Sequence, residues 1–216
     1  MGSITRGLSN NITTGGVILP AGITNASVSA VTSFANASGG TLILLSTQTA
    51  SASATISFTT GLNSTYDEYI FKFINIHPSI SDFFGFQCST NGGSSYGITA
   101  TTTFFRGQQT EAGADATLAY DTSMDLAQST SLARLGRPIL IDNDASLSGT
   151  LTIFNPSSTT YVKHYLYNNS VMGNFCQNAF GAGYFNTTSA INAIQFKMES
   201  GNIDDGIIKL YGVKKS

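Results

Sequence analysis

The sequence predicts an all-β protein: an antiparallel β-sandwich, jelly-roll-like, preceded by an extended N-terminal arm. Three observations predict it. Short runs alternate apolar and polar residues with a period of two, as half-buried strands do. Gly, Asn, Asp and Pro clusters punctuate those runs every 8–15 residues or so, the spacing of short antiparallel strands. No stretch carries the 3.6-residue periodicity of a long amphipathic helix.

The arm is residues 1–40. It is built from Gly, Ser, Thr, Asn and Ala, with Ile4, Arg6, Leu8, Ile12, Val17 and Leu19 as its anchoring candidates. Val28, Val31 and Phe34, three apart, hint at one helical turn. So few apolar groups do not offset the entropy of ordering the chain, so the segment is expected to order by docking elsewhere. Gly39-Gly40 is the expected hinge into a domain over 41–216.

Within that domain, Thr41–Thr49 and Ala54–Thr59 read as two strands split by a Ser/Ala turn. Tyr66–His77 is the strongest strand, with Tyr69, Phe71 and Phe73 on one face and Ile70, Ile74 and Ile76 on the other. Apolar residues on both faces predict a central strand covered on both sides, or one face given to an oligomer contact. Phe83–Ser89 and Tyr96–Arg106 flank Asn91-Gly92-Gly93, the local signature of a β-hairpin. Thr110–Ala116 reads as a loop, and 118–135 as a short strand and a turn. Further strands are expected at Pro138–Ile141, Leu147–Phe154, Thr160–Asn168, Asn174–Phe185, Ala190–Met198 and Ile207–Val213. Turns are expected at Asp142-Asn143-Asp144, Asn155-Pro156, Asn168-Asn169, Gly181-Ala182-Gly183 and Ser200-Gly201-Asn202.

Composition narrows the function. Charged residues make up 10% of the 216, against roughly 25% in an average soluble domain. With a net charge of −2, the surface does not attract polyanions, so nucleic acid is set aside as a partner. The longest run of large apolar residues, Leu42–Leu45, is too short to cross a membrane, and no secretory signal order is present at the start. Two cysteines, Cys88 and Cys176, either pair or stay as thiols; no Cys/His spacing suits zinc.

Ser89–Tyr96 fits Ser-x-Asn-x-Gly-x-Ser-Tyr, close to the Asp-box hairpin of sialidases. It occurs once, and the arginines Arg6, Arg106, Arg134 and Arg137 show no spacing that suggests a carboxylate-binding triad. It therefore reads as a turn. The carboxylate pairs Asp121/Asp125, Asp142/Asp144 and Asp204/Asp205 fall in expected turns, where Asp caps backbone N–H groups. His164 is in phase with Val162 and Leu166 and is expected to face inward; no nucleophile elbow is present. No catalytic residue, metal ligand or cofactor is assigned. Tyr161, Lys163, Tyr165 and Tyr167 share one face of a strand, and are candidates for core packing, a protein interface or stacking on sugar rings.

Several runs resemble a family of small virion proteins of tailed phages, chiefly marine ones. They are Leu44–Ser51, Tyr69–Pro78, Ser89–Tyr96, Leu147–Leu151, Asn155–Ser158, Gly183–Thr188 and Ile203–Gly212, with Ser3–Ile12 similar to the start of many such proteins. The resemblance implies a non-enzymatic virion part: a tail or head fibre, or a capsid decoration protein. Residues 1–40 would then anchor it to capsid, neck or tail proteins. The sandwich would form a homo-oligomer, with a trimer favoured. The alternative is a fibre tip that binds a host surface glycan.

Overall fold

The computed structural model describes the backbone of residues 12–13 and 16–17, and residues 41–215 in full. The chain divides into two compact units, Met1–Gly39 and Gly40–Ser216. In the first, β1 (Ile12–Thr13) pairs antiparallel with β2 (Gly16–Val17), Ile12 opposite Val17. Of the other anchoring candidates, Ile4, Arg6, Leu8 and Leu19 lie outside the described residues, as does the turn expected at Val28–Phe34.

The second unit is an antiparallel sandwich of eight strands over four. Its strands are β3 (Leu42–Ser53), β4 (Ile56–Phe58), β5 (Glu68–Pro78), β6 (Phe84–Ser89), β7 (Ala100–Thr110), β8 (Ala116–Tyr120), β9 (Ala133–Arg134), β10 (Ser146–Phe154), β11 (Lys163–Met172), β12 (Phe175–Phe185), β13 (Ala193–Met198) and β14 (Ile203–Val213). The large sheet has the order β3-β14-β5-β10-β11-β12-β7-β8, and the small sheet β4-β13-β6-β9. The chain changes sheet repeatedly as it advances, so both sheets draw on the whole length of the unit.

The two sheets meet through phenylalanine. Phe196 of β13 sits at the centre, its ring 5.1 Å from Phe71 and 5.3 Å from Phe73 in the large sheet. Phe58, Phe84 and Phe86 surround it from the small sheet, at 6.1, 6.0 and 6.1 Å. Edge-to-face contacts dominate, the arrangement that ring quadrupoles favour. Tyr165 and Phe185 extend the cluster through Phe86.

Several sequence expectations are corrected. The expected hairpin across Asn91-Gly92-Gly93 is absent: β6 lies in the small sheet and β7 in the large one. The turn itself exists, with positive φ at Gly92 and Gly93. It is tied by side chains, since Gly93 N–H donates to Ser89 Oγ (3.0 Å) and Ser95 N–H to Asn91 Oδ1 (3.0 Å). A turn signal marks a reversal but not the sheet that receives the next strand. Pro138–Ile141 is no strand; Ile139 makes only an isolated bridge to Asp82.

Asn168-Asn169 and Gly181-Ala182-Gly183 are not turns but lie inside β11 and β12. The glycines are there because Tyr165 stands opposite Gly183, and Tyr167 opposite Gly181. A Cβ at either glycine would overlap the facing tyrosine. Ile76 is buried with Tyr69, Phe71 and Phe73, not placed with Ile70 and Ile74. Asn75, at φ 51°, causes this. It sits at a register shift against both β10 and β14, and the extra residue flips the alternation.

Candidate functional site

The outer face of the large sheet is the surface with the clearest functional character. One row of outward residues crosses it in direct register: Leu44, Tyr211, Ile70, Thr152, Leu166, Ala182, Thr103. The next row runs Lys209, Lys72, Thr150, Asn168, Phe180, Phe105, Tyr120. Leu166 is 52% exposed and Leu44 53%. Phe105, Tyr120 and Leu118 are also exposed.

The half of this face formed by β10, β11, β12, β7 and β8 holds no Asp, Glu, Lys or Arg at its outward positions. It has relief. Phe180 and Phe105 stack at 5.4 Å with 9° between their planes, and Tyr120 packs edge-on to Phe105 at 4.9 Å. These three rings form a ridge. Beside it lies a shallow depression with small residues such as Thr103, Thr152 and Ala182 along it, and with Leu166 and Phe180 at its walls. The side chains of Thr150, Thr152, Asn168 and Asn178 line the same hollow and make no hydrogen bond among the described residues.

The candidate contact residues from the sequence fall elsewhere. Lys163, Tyr165 and Tyr167 of β11 point inward and are buried, so they offer no surface to a glycan or a partner. Only Tyr161, before the strand begins, is open, at 71%. His164 and Leu166, expected inside, are the exposed set of that strand. The phase follows volume: the two tyrosines fill the core more fully than His164 and Leu166 would. Lys163 accompanies them because its Nζ donates to the carbonyls of Tyr161 (2.8 Å) and Thr187 (3.2 Å). With no carboxylate in reach among the described residues, burial alone shifts its pKa, downward. Burial likewise raises the Tyr165 and Tyr167 phenols.

The structure also gathers what the sequence scattered. Arg106, Arg134 and Arg137 converge on the single-turn 3-10 helix Thr122–Met124. Asp121 receives Arg137 at 2.8 Å and faces Arg106 at 3.5 Å. Its carboxyl is held below the usual range, chiefly by the hydrogen bond from the Ser123 hydroxyl (2.6 Å) and then by Arg137. Arg134 pairs with Glu199 at 2.6 Å and lies 3.9 Å over the Phe83 ring. All three guanidinium groups are thus engaged by the chain's own groups. Asp125 accepts a short hydrogen bond from the Tyr120 hydroxyl, which raises the pKa of that phenol.

Among the other candidates, Asp144, Asp204 and Asp205 line a polar cleft with Asn75 and His77, whose Nδ1 lies 2.7 Å from the Ala145 carbonyl. No group of three or more His, Cys, Asp or Glu among the described residues is arranged to hold a metal. Cys88 is a buried thiol, its pKa raised by burial; Cys176 is exposed on β12, and the two are not bonded.

Comparison with known proteins finds no family profile, no curated protein and no solved structure that matches this chain.

The signal that would have located the outer face is the doublet Phe104-Phe105. Adjacent strand residues point to opposite faces, so one of the two rings had to leave the core. Phe104 is buried and Phe105 is out.

Proposed function

We propose that this chain is a non-enzymatic structural protein of a tailed-phage virion, a fibre or decoration module. Residues 1–40 hold it to neighbouring capsid, neck or tail proteins, and the sandwich assembles with copies of itself. The observation that carries this reading is the outward face of the large sheet, which exposes Leu166, Phe105, Tyr120 and Leu118 and, over five strands, carries no Asp, Glu, Lys or Arg. Exposed apolar surface of this kind marks protein contact. The low charge of the whole chain and the family resemblance of its sequence point the same way.

A second reading has its own support. Asn168, Asn178, Thr150 and Thr152 line the hollow beside the Phe180 ring with unspent hydrogen-bonding capacity. Aromatic walls with neutral polar groups suit an uncharged sugar, as at the tip of a host-binding fibre.

Mass spectrometry of purified particles of the source virus tests the first reading. The chain should be present in fixed proportion to the capsid protein. Its absence from washed particles would refute a virion role. Host-cell binding that is lost in Phe180→Ala while particles still assemble would favour the glycan reading.

A further inference from the structure

We infer that the outer face of the large sheet is a two-fold interface, on which a second copy of this chain packs through the charge-free half formed by β10, β11, β12, β7 and β8. The inference deepens the structural reading above and rests on it, by naming the occupant of that face.

Three features single out a second copy. The first is shape. The ridge of Phe180, Phe105 and Tyr120 and the hollow at Ala182, Thr103 and Thr152 lie side by side, in adjacent outward rows of the same strands. A two-fold axis lying in the plane of the contact, along β12, sets Phe105 and Tyr120 of each copy over the β10–β11 side of the other's hollow and Leu166 opposite the other's Thr103. Leu166, 52% exposed at the wall of the hollow, then gains cover from the partner's ridge. An isologous contact uses one patch twice and needs that patch to complement itself, which a ridge beside a hollow does. A threefold ring needs two different patches.

The second feature is charge. A two-fold contact brings each charge near its own copy, so any charge close to the axis repels itself. The outward positions of these five strands carry none. Lys72 and Lys209 lie on β5 and β14, away from the ridge.

The third is size. The five strands, about 4.8 Å apart and five to eleven residues long, give a face of roughly 24 by 30 Å, on the order of 700 Å². That is close to the roughly 800 Å² that each partner contributes to a standard stable interface.

The test is light scattering on the full chain over a concentration series, with wild type, Leu166→Glu, Thr103→Lys and Lys72→Gln. Wild type should have twice the monomer mass, or an even multiple of it. Leu166→Glu and Thr103→Lys should each weaken the pair by roughly tenfold or more, about 1.4 kcal/mol. An equimolar mixture of those two variants should recover association, because each places its new charge opposite the other's. Lys72→Gln should associate like wild type. Both charged positions are already partly open to solvent, and unchanged far-ultraviolet circular dichroism would confirm folding. A monomeric wild type, or a trimer whose mass ignores both charged variants, would overturn the inference. A monomer that is nevertheless found in particles overturns the pairing and leaves the virion reading standing.

Discussion

Tyr165 and Gly183 face each other across the β11–β12 ladder, and the tyrosine ring occupies the space that a Cβ on Gly183 would need. The same relation recurs one pair along, between Tyr167 and Gly181. Large and small residues are matched across neighbouring strands, so each ring takes the space over its glycine, Tyr165 packing on Phe86 of the small sheet at 5.1 Å and Tyr167 on Phe104 of β7 at 6.5 Å. Gly183→Ala should therefore lower stability by about 1–3 kcal/mol, the usual cost of overpacking. Urea unfolding measures it, and an unchanged midpoint would mean that the ring moves aside freely. Tyr165→Phe should do the reverse. Its hydroxyl is buried without a hydrogen-bond partner among the described residues, so removal should stabilise by about 1 kcal/mol.

Lys163 gives a pH dependence of definite sign. Burial lowers its pKa in the folded chain, so between that value and about 10.4 the unfolded chain binds the extra proton. Stability rises with pH wherever the unfolded state holds more protons. The wild type should therefore gain on Lys163→Met as pH climbs through that window, and the difference should be flat below it. Denaturation curves at several alkaline pH values read this directly. A constant difference throughout would show that the ammonium group reaches water.

Asp121 works in the opposite direction. Its carboxyl pKa is lowered by the Ser123 hydroxyl and by Arg137, so its stabilisation is complete above the unfolded value near 3.9 and is lost as pH falls through the lowered folded value. Asp121→Asn should cost about 1 kcal/mol at neutral pH, discounted for partial exposure. The gap from wild type should close in strong acid. Thermal melts from neutral pH to strong acid check both parts. The same variant frees Arg106 and Arg137 together, which makes it the substitution most apt to loosen the Thr122–Met124 turn.

Much of the fold was legible because alternation is a local property. Strands at Phe84–Ser89, Ser146–Phe154 and Ala193–Met198 follow from their own residues. What was not legible depends on partners far along the chain. Gly181 and Gly183 read as a turn because glycine usually marks one; only the facing tyrosines explain them inside a strand. Asn75 carries no local sign of the bulge that turns Ile76 inward. In the sequence the tyrosines of β11 leave core packing, interface and sugar contact open, because aromatic side chains suit all three. Choosing between those fates required knowing that Phe86 and Phe185 wait on the inner side. The arginine cluster was invisible for the same reason, since Arg106 and Arg137 are brought together by tertiary structure alone.

Incorporation into particles is the decisive measurement. The full chain and a version lacking residues 1–40 would be supplied in turn to particles whose own copy is deleted, and the purified particles assayed for each. The virion reading predicts that the full chain is incorporated and the shortened one is not. Equal incorporation of both, or of neither, would contradict a structural part anchored through its N-terminal arm.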